Sequence, residues 1–489
     1  MDMRFRLSGQ SILLGLLLLT SFPIFVFGLF YPDEGYILHT ASRLLDGEIM
    51  YREFHFVYTP VSAWLLAGFF MLFGESVLSG RILAYMLTVM SVVALFQIFR
   101  EYSKKMVWVF LSLGIFISWG AFHINFIWPS MVAISFAVVA CLFYIKSIRD
   151  VRMMIGVGVC SMVVLLSKQN LGAAVLAAFF FSILIEHWAA GRKSSSPLIF
   201  YIFGVLGVSV LFLAYLLTQG SLADFLQNNY LNLVQKIIVE GTIATPFLYG
   251  NGFYSYGKLV FYLSPLILCI PALWISYRNR SSLIILPMIC AAVYIAGVRP
   301  VTDYVHLSPL MSIGCLPVFV LSVFLKKRPF LLPLFIYAVS LIVIGLYLPL
   351  FRYYYRWQEP VTNQRHFVNQ SRIMVFSEEK YVSEIPALRI YIDSIAGKNE
   401  YVYINYYAPM VYFFLDRRNP TKYDYVSGSG LGVHEHRDIV KNLKEKKVMI
   451  VITHAIVQND TSLPYQYIAR NFVMKKRIGD LIVWQRKQL

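Results

Sequence analysis

Residues 12–30 read ILLGLLLLTSFPIFVFGLF, and residues 31–36 continue YPDEGY. The first stretch carries no charge and matches the ~20 residues a helix needs to cross a bilayer core. No small-residue cleavage site follows it, so it is expected to persist as a membrane span rather than leave as a signal peptide. The second stretch places two carboxylates where the chain leaves the membrane. Runs like the first recur, for example at Ile82–Phe99 and Met106–Trp119. The 489 residues are 58% hydrophobic and 14% charged. That is too little charge to solvate the surfaces of several soluble domains. The fold class that follows is a polytopic α-helical membrane protein.

The formal net charge is +17, and its placement excludes a nucleic-acid groove. The cations cluster between apolar runs: Arg4/Arg6, Arg100/Lys104/Lys105, Lys146/Arg149/Arg152, Arg192/Lys193, Arg278/Arg280 and Lys326/Lys327/Arg328. This is the positive-inside pattern of cytoplasmic loops. Spans are expected at about 10–30, 82–99, 106–122, 129–145, 153–167, 171–187, 197–217, 258–276, 282–298, 307–325 and 329–350. Eleven spans put all six clusters in the cytoplasm and every other loop outside. Val57–Phe73 is apolar enough to cross, but a crossing there would move the later clusters outside. It is therefore expected to lie flat on, or re-enter, the outer surface, broken by Pro60 and Gly68. Ahead of it, Tyr36–Asp46 reads as an amphipathic surface helix. Ile37, Leu38, Ala41, Leu44 and Leu45 form a stripe opposite His39, Thr40, Ser42 and Arg43.

After Leu350 the character changes. Residues 351–489 hold 21 Lys/Arg against 13 Asp/Glu and no apolar run of span length. Strand-like Tyr401–Ile404, Val448–Thr453 and Leu481–Trp484 alternate with helix-like Ser383–Ile395, Pro409–Leu415, His434–Lys444 and Pro464–Phe472. That alternation predicts a C-terminal α/β domain, extracytoplasmic by parity, following a transmembrane domain over 1–350. All five cysteines (Cys141, Cys160, Cys269, Cys290 and Cys315) lie in apolar runs, without metal spacing. His434 and His436 have no evident third ligand. Neither a metal nor a cofactor is expected.

The loop 31–81 between the first two spans holds the richest chemistry. Asp33 can cap the helix that follows, with Glu34 in its first turn, and a structural role would suffice for both. The same loop also supplies Arg43, Arg52, His55, Tyr58 and Arg81 at a membrane interface. Sugar transfer from a lipid phosphate requires a carboxylate that takes a proton from the attacking hydroxyl. It also requires fixed cations that hold the departing phosphate. A second carboxylate acting as acid is dispensable, unlike in glycoside hydrolysis, because phosphate leaves readily.

The ordered series Tyr31-Pro32-Asp33-Glu34-Gly35-Tyr36, Asp46-Gly47, Tyr58-Thr59-Pro60, Leu72-Phe73-Gly74-Glu75-Ser76 and Arg81 resembles the first outer loop of a known superfamily. It is the protein O-mannosyltransferase/aminoarabinose transferase group, GT-C glycosyltransferases that take sugars from polyprenyl or dolichyl phosphate. The resemblance covers about residues 25–105. It implies that Asp33 is the catalytic carboxylate, with Glu34 beside it. It also implies a polyprenyl-phosphate sugar as donor, a glycan, lipid or protein as acceptor, the bilayer as setting, and a place in the plasma membrane.

Further candidates lie at other outer span ends. Lys168, in Lys168-Gln169-Asn170, would hold the donor phosphate or merely snorkel to the interface. In 299–306, Arg299 is a candidate for phosphate, with Asp303 and His306 for orienting the acceptor. A plain ion pair between Arg299 and Asp303 is the alternative. With Arg43, Arg52 and Arg81 these complete the phosphate set, and His55 and Tyr58 join the acceptor set. His123 and Asn125 read as satisfied interface residues. The stretch 218–257, with Asp224, Asn228, Asn229, Lys236 and Glu240, is expected to form a surface helix and lid. Two rival functions are a lipid-linked sugar flippase and a receptor with an outer ligand-binding domain. A flippase would be expected to show internal repeats and charges at mid-membrane.

Overall fold

The computed structural model describes residues 9–30, 32–189, 196–231, 253–298, 304–325, 328–352, 359–370, 372–424, 433–455 and 461–487. Among the described residues, eight helical stretches are long and apolar enough to cross a membrane, making the chain an integral, multi-pass membrane protein. They begin with Gly9–Val26, whose helix proper (α1) is Gly9–Ser21, and continue with α4 (Val77–Tyr102), α6 (Pro129–Lys146) and α8 (Gln169–Ala189). Then come α9 (Ser196–Thr218) and, past the short α10 (Leu222–Leu226), α11 (Phe253–Arg278), followed by His306–Phe324, which ends in α14 (Cys315–Phe324), and Pro329–Arg352. Shorter apolar helices, α5 (Met106–Trp119), α7 (Met153–Leu165) and the segment Ser282–Gly297 with α12 (Ile285–Gly297), lie at the other three expected spans.

Hydrogen bonds between connectors sort the helix ends onto two faces. On the near face, Asn125 Nδ2 donates to Ile24 O (2.6 Å) and Thr59 Oγ1 to Leu165 O (2.8 Å). There too Arg52 Nη1 donates to Gln219 O (3.1 Å) and Asn170 Nδ2 to Ala296 O (2.8 Å). On the far face, Arg149 pairs with Glu101 at 2.6 Å, and the Tyr102 hydroxyl meets Ser282 Oγ at 2.7 Å. The basic clusters around 100–105, 146–152 and 278–280 thus share one end of the bundle, as the charge alternation requires.

Two helices precede α4 on the near face. Helix α2 runs Asp33–Leu45 with Pro32 as its N-cap. It therefore starts three residues before the expected Tyr36, and Asp33 occupies the first turn rather than the cap. Helix α3 (Val61–Phe73) begins after Pro60 and is unbroken at Gly68, contrary to the expected interruption. Both its ends stay on the near face. Val61 N donates to Leu166 O (2.8 Å), and Glu75, just beyond its C-terminus, accepts from Ser42 Oγ (2.5 Å).

The C-terminal domain opens with a hairpin, β1 (His366–Val368) against β2 (Val375–Ser377). A four-stranded sheet follows in the order β3-β4-β6-β5. Strand β3 (Val402–Asn405) is parallel to β4 (Ile450–His454); β6 (Leu481–Arg486) is antiparallel to both β4 and β5 (Phe472–Ile478). Continuing the helix numbering past α15 (Arg328–Tyr347), α16 (Glu379–Ile395) and α17 (Met410–Leu415) cover one face. Helices α18 (Val433–Glu445) and α19 (Leu463–Asn471) cover the other. All three expected strands and four expected helices are present. Strand β5 and the β1–β2 hairpin were not expected.

The domain is stitched to the near face. Gly28 N donates to Phe376 O (2.8 Å), Val77 N to Arg372 O (2.8 Å) and His55 N to Lys422 O (2.8 Å). Val368, Val375, Ile385, Met410 and Phe413 join the same apolar core as the membrane helices. The predicted surface helix is therefore a buried one. Residues Glu34 through Arg43 of α2 are all buried, the polar side beneath the C-terminal domain. The approach is close enough to need glycine: a Cβ on Gly35 would stand 2.3 Å from the backbone N of Met410.

Candidate active site on the near face

The site is built around the N-terminal turn of α2. Glu34 is 2% exposed and Arg81, from the first turns of α4, 1%. Arg81 Nε and Nη2 form a two-pronged pair with the Glu34 carboxylate, the Nη2 bond at 2.8 Å. Its other donors reach Phe27 O (2.8 Å) and Gly28 O (2.9 Å), and Glu34 also accepts from Phe30 N (3.2 Å). One guanidinium thus ties the end of the first span, the start of α2 and the start of α4. Asp33, next in the chain, is only half-buried.

In this structure the Arg81 guanidinium is engaged by a carboxylate and two carbonyls. Arg43 is engaged in the same way. It is 3% exposed, and its guanidinium donates to Glu48 (2.6 and 2.9 Å), Asp424 (2.9 Å) and Thr421 O (3.2 Å). Asp424 also lies 3.3 Å from His39 Nε2, and the His39 ring stacks on Tyr412 at 4.8 Å. Burial alone would raise the Asp424 pKa, but Arg43 and His39 hold it well below the ordinary carboxylate value. This latch between α2 and the C-terminal domain escaped sequence reasoning. Its partners lie some 380 residues apart, and no local pattern marks Asp424.

Lys168 lies on the same face, 8% exposed, donating from Nζ to Ser130 Oγ at 2.7 Å. Aromatic contacts connect it to α2. The Tyr36 ring is 6.5 Å from Tyr58, and Tyr58 is 5.5 Å from Trp128, two residues before Ser130. The Tyr36 hydroxyl donates to His55 O (3.2 Å) and accepts from Val57 N (3.1 Å), and burial raises its pKa, so the phenol keeps its proton. The structure thus gathers Asp33, Glu34, Arg81, Tyr58 and Lys168 on one side of the bundle. His55 is half-buried, its ring 6.1 Å from Tyr423 of the C-terminal domain.

Arg52 is half exposed, bonded to Gln219 O and 3.6 Å from Glu53. His306 lies in the first turn of α13 (Tyr304–Ser312). Arg299 and Asp303 fall outside the described residues, as do Lys236 and Glu240 of the expected lid. His123 is a structural residue, its Nε2 2.8 Å from Gly345 O and its ring stacked on Trp119.

Comparison with known proteins agrees with this architecture. The family profile for Dolichyl-phosphate-mannose-protein mannosyltransferase matches residues 58–224, a third of the chain. No curated protein matches it in sequence. ArnT from Cupriavidus metallidurans, solved bound to undecaprenyl phosphate, superposes with TM-score 0.56 at 10% identity, over 97% of this chain and 98% of that one. The archaeal oligosaccharyltransferase AglB from Archaeoglobus fulgidus was solved in complex with an inhibitory peptide and a dolichol-phosphate. It gives TM-score 0.54 at 11% identity, over 99% and 75%. At these identities the likeness is one of fold. The expected fold, a polytopic helical bundle followed by a C-terminal α/β domain, is the one found.

Proposed function

We propose that the chain is a glycosyltransferase that moves a sugar from a polyprenyl-phosphate donor to an acceptor at the near face, with inversion. The observation that carries the reading is the pairing of surroundings at α2: a half-buried Asp33 beside a Glu34 fully engaged by Arg81, on the face that also holds Lys168. Asp33 takes the proton from the acceptor hydroxyl as its oxygen attacks the anomeric carbon. The bond from that carbon to the phosphate oxygen breaks, and its electron pair leaves with the phosphate. Lys168 and Arg52 neutralise the charge gained there, while Glu34 and Arg81 keep Asp33 in place. Supporting the donor class, two solved structures of this fold hold undecaprenyl phosphate and dolichol-phosphate.

The test uses purified protein and a synthetic polyprenyl-phosphate hexose. Asp33→Asn is expected to insert normally and lose transfer by ~10²–10⁴-fold, the worth of a general base. Lys168→Met is expected to weaken binding of the lipid phosphate by ~1.5–3 kcal/mol, tenfold or more. Near-normal turnover by Asp33→Asn would reduce that carboxylate to a helix-turn residue. Donor translocation without transfer would favour a flippase instead.

A further inference from the structure

We propose that the groove between α18 and α19 of the C-terminal domain binds an oligosaccharide carrying negative charges, at a distance from the reaction centre. Its place in the reaction rests on the function proposed above; its binding does not.

The groove encloses about 730 Å³. One wall presents Arg437, Lys441 and Lys444 of α18, spaced i, i+4 and i+7, hence a single stripe. Like charges one turn apart work against a helix, and the lining supplies a single carboxylate, Glu445, 3.9 Å from Lys441. The opposite wall is α19, which contributes Arg470, Gln466 and Tyr467. The Tyr467 ring is held from two sides. Arg486 Nη2 donates to its hydroxyl at 2.8 Å, and Lys444 Nζ lies 5.4 Å from its centroid.

Cations alone would attract any polyanion. A fixed aromatic ring and a side-chain amide inside a concave, cation-rimmed groove add a stacking face for a sugar ring and partners for its hydroxyls. Position argues for a chain rather than a single sugar. Lys446, just beyond α18, donates to Pro420 O at 2.6 Å and lies in the electrostatic reach of Arg43 and Glu48. From Arg43 back to Asp33 along α2 is ~15 Å, and α18 itself is ~20 Å long. An occupant that touches both groove and reaction centre must span several sugar rings.

The experiment measures calorimetric binding to the full-length protein in zwitterionic nanodiscs, which removes membrane charge. Oligogalacturonate is compared with neutral maltoheptaose and with polyglutamate of equal charge. Oligogalacturonate is expected to bind, more weakly in 0.5 M salt as screening sets in, and the other two far less. The Arg437→Gln/Lys441→Gln/Arg470→Gln variant should lose at least tenfold in affinity with an unchanged melting temperature, since all three side chains are exposed. Tyr467→Leu should lose several-fold for the oligosaccharide. Polyglutamate binding as tightly as the sugar, or unaltered affinity in the triple variant, would overturn the proposal. Asp33→Asn should bind oligogalacturonate like the unaltered protein, so a failure of the proposed transfer reaction would read out separately.

Discussion

Asp33 and Glu34 are adjacent acids in unlike surroundings, and the proposed division of their work rests on that difference. Glu34 receives two donors from Arg81 and one from Phe30 N inside a nearly dry site. A carboxylate so engaged has few lone pairs left to reach a substrate hydroxyl. Its neutral replacement would leave a buried guanidinium without its counter-charge, and removing one partner of a buried pair costs about 3–5 kcal/mol. Glu34→Gln is therefore expected to lower the melting temperature in detergent far more than Asp33→Asn does. The opposite should hold for catalysis at a temperature where both are folded. Equal destabilisation by the two substitutions would show that the Glu34–Arg81 pair does not hold the site together. The motif resemblance singles out Asp33, but the partner of Glu34 is not legible in sequence, because it depends on where Arg81, 47 residues away, comes to lie.

The elements around them were legible to different depths. Apolar run length located the spans, and apolar alternation located three strands and four helices of the C-terminal domain. Strand β5 was missed because Lys475, Lys476 and Arg477 interrupt its apolar pattern; charge on an edge strand guards it against pairing with another chain. The pattern of α2 is amphipathic and predicts a polar side facing water, yet that side is covered by protein. Its cover, Met410, Tyr412 and Asp424, comes from the far end of the sequence. The latch it forms predicts a pH dependence. Asp424 has a depressed pKa in the folded state, so its contribution is complete above the unfolded value of ~3.9 and fades as pH falls below it. Amide exchange in α2 should stay slow from pH 7 down to about 4, after correction for the intrinsic rate, and quicken below. In Asp424→Asn it should be fast throughout, with that pH step abolished. A wild-type protein that loosens between pH 7 and 5 would mean that another group controls docking.

For the whole molecule, the site face and the charge pattern constrain one another. Connectors carrying Asp33, Arg52, Tyr58 and Lys168 share the near face with the entire C-terminal domain. Connectors carrying Arg100, Lys104, Lys105, Lys146, Arg149, Arg152, Arg278 and Arg280 meet on the opposite one, held by the Arg149–Glu101 pair and the Tyr102–Ser282 hydrogen bond. Cationic loops of this length are retained in the cytoplasm. The near face, with the proposed reaction centre and the basic groove, should therefore lie outside. Helix α3 is the one apolar segment that could reverse this, since a crossing there would invert every later loop. The anchoring of both its ends to the near face opposes a crossing. An alkaline phosphatase fusion after residue 351 should be active, because that reporter folds only after export, and one at Arg149 should be inactive. A cysteine introduced at exposed Arg52 should react with a membrane-impermeant maleimide in intact cells, and one at Arg149 only after permeabilisation. The reversed pair of results would put Asp33 on the cytoplasmic side. A donor presented from outside could then not reach it.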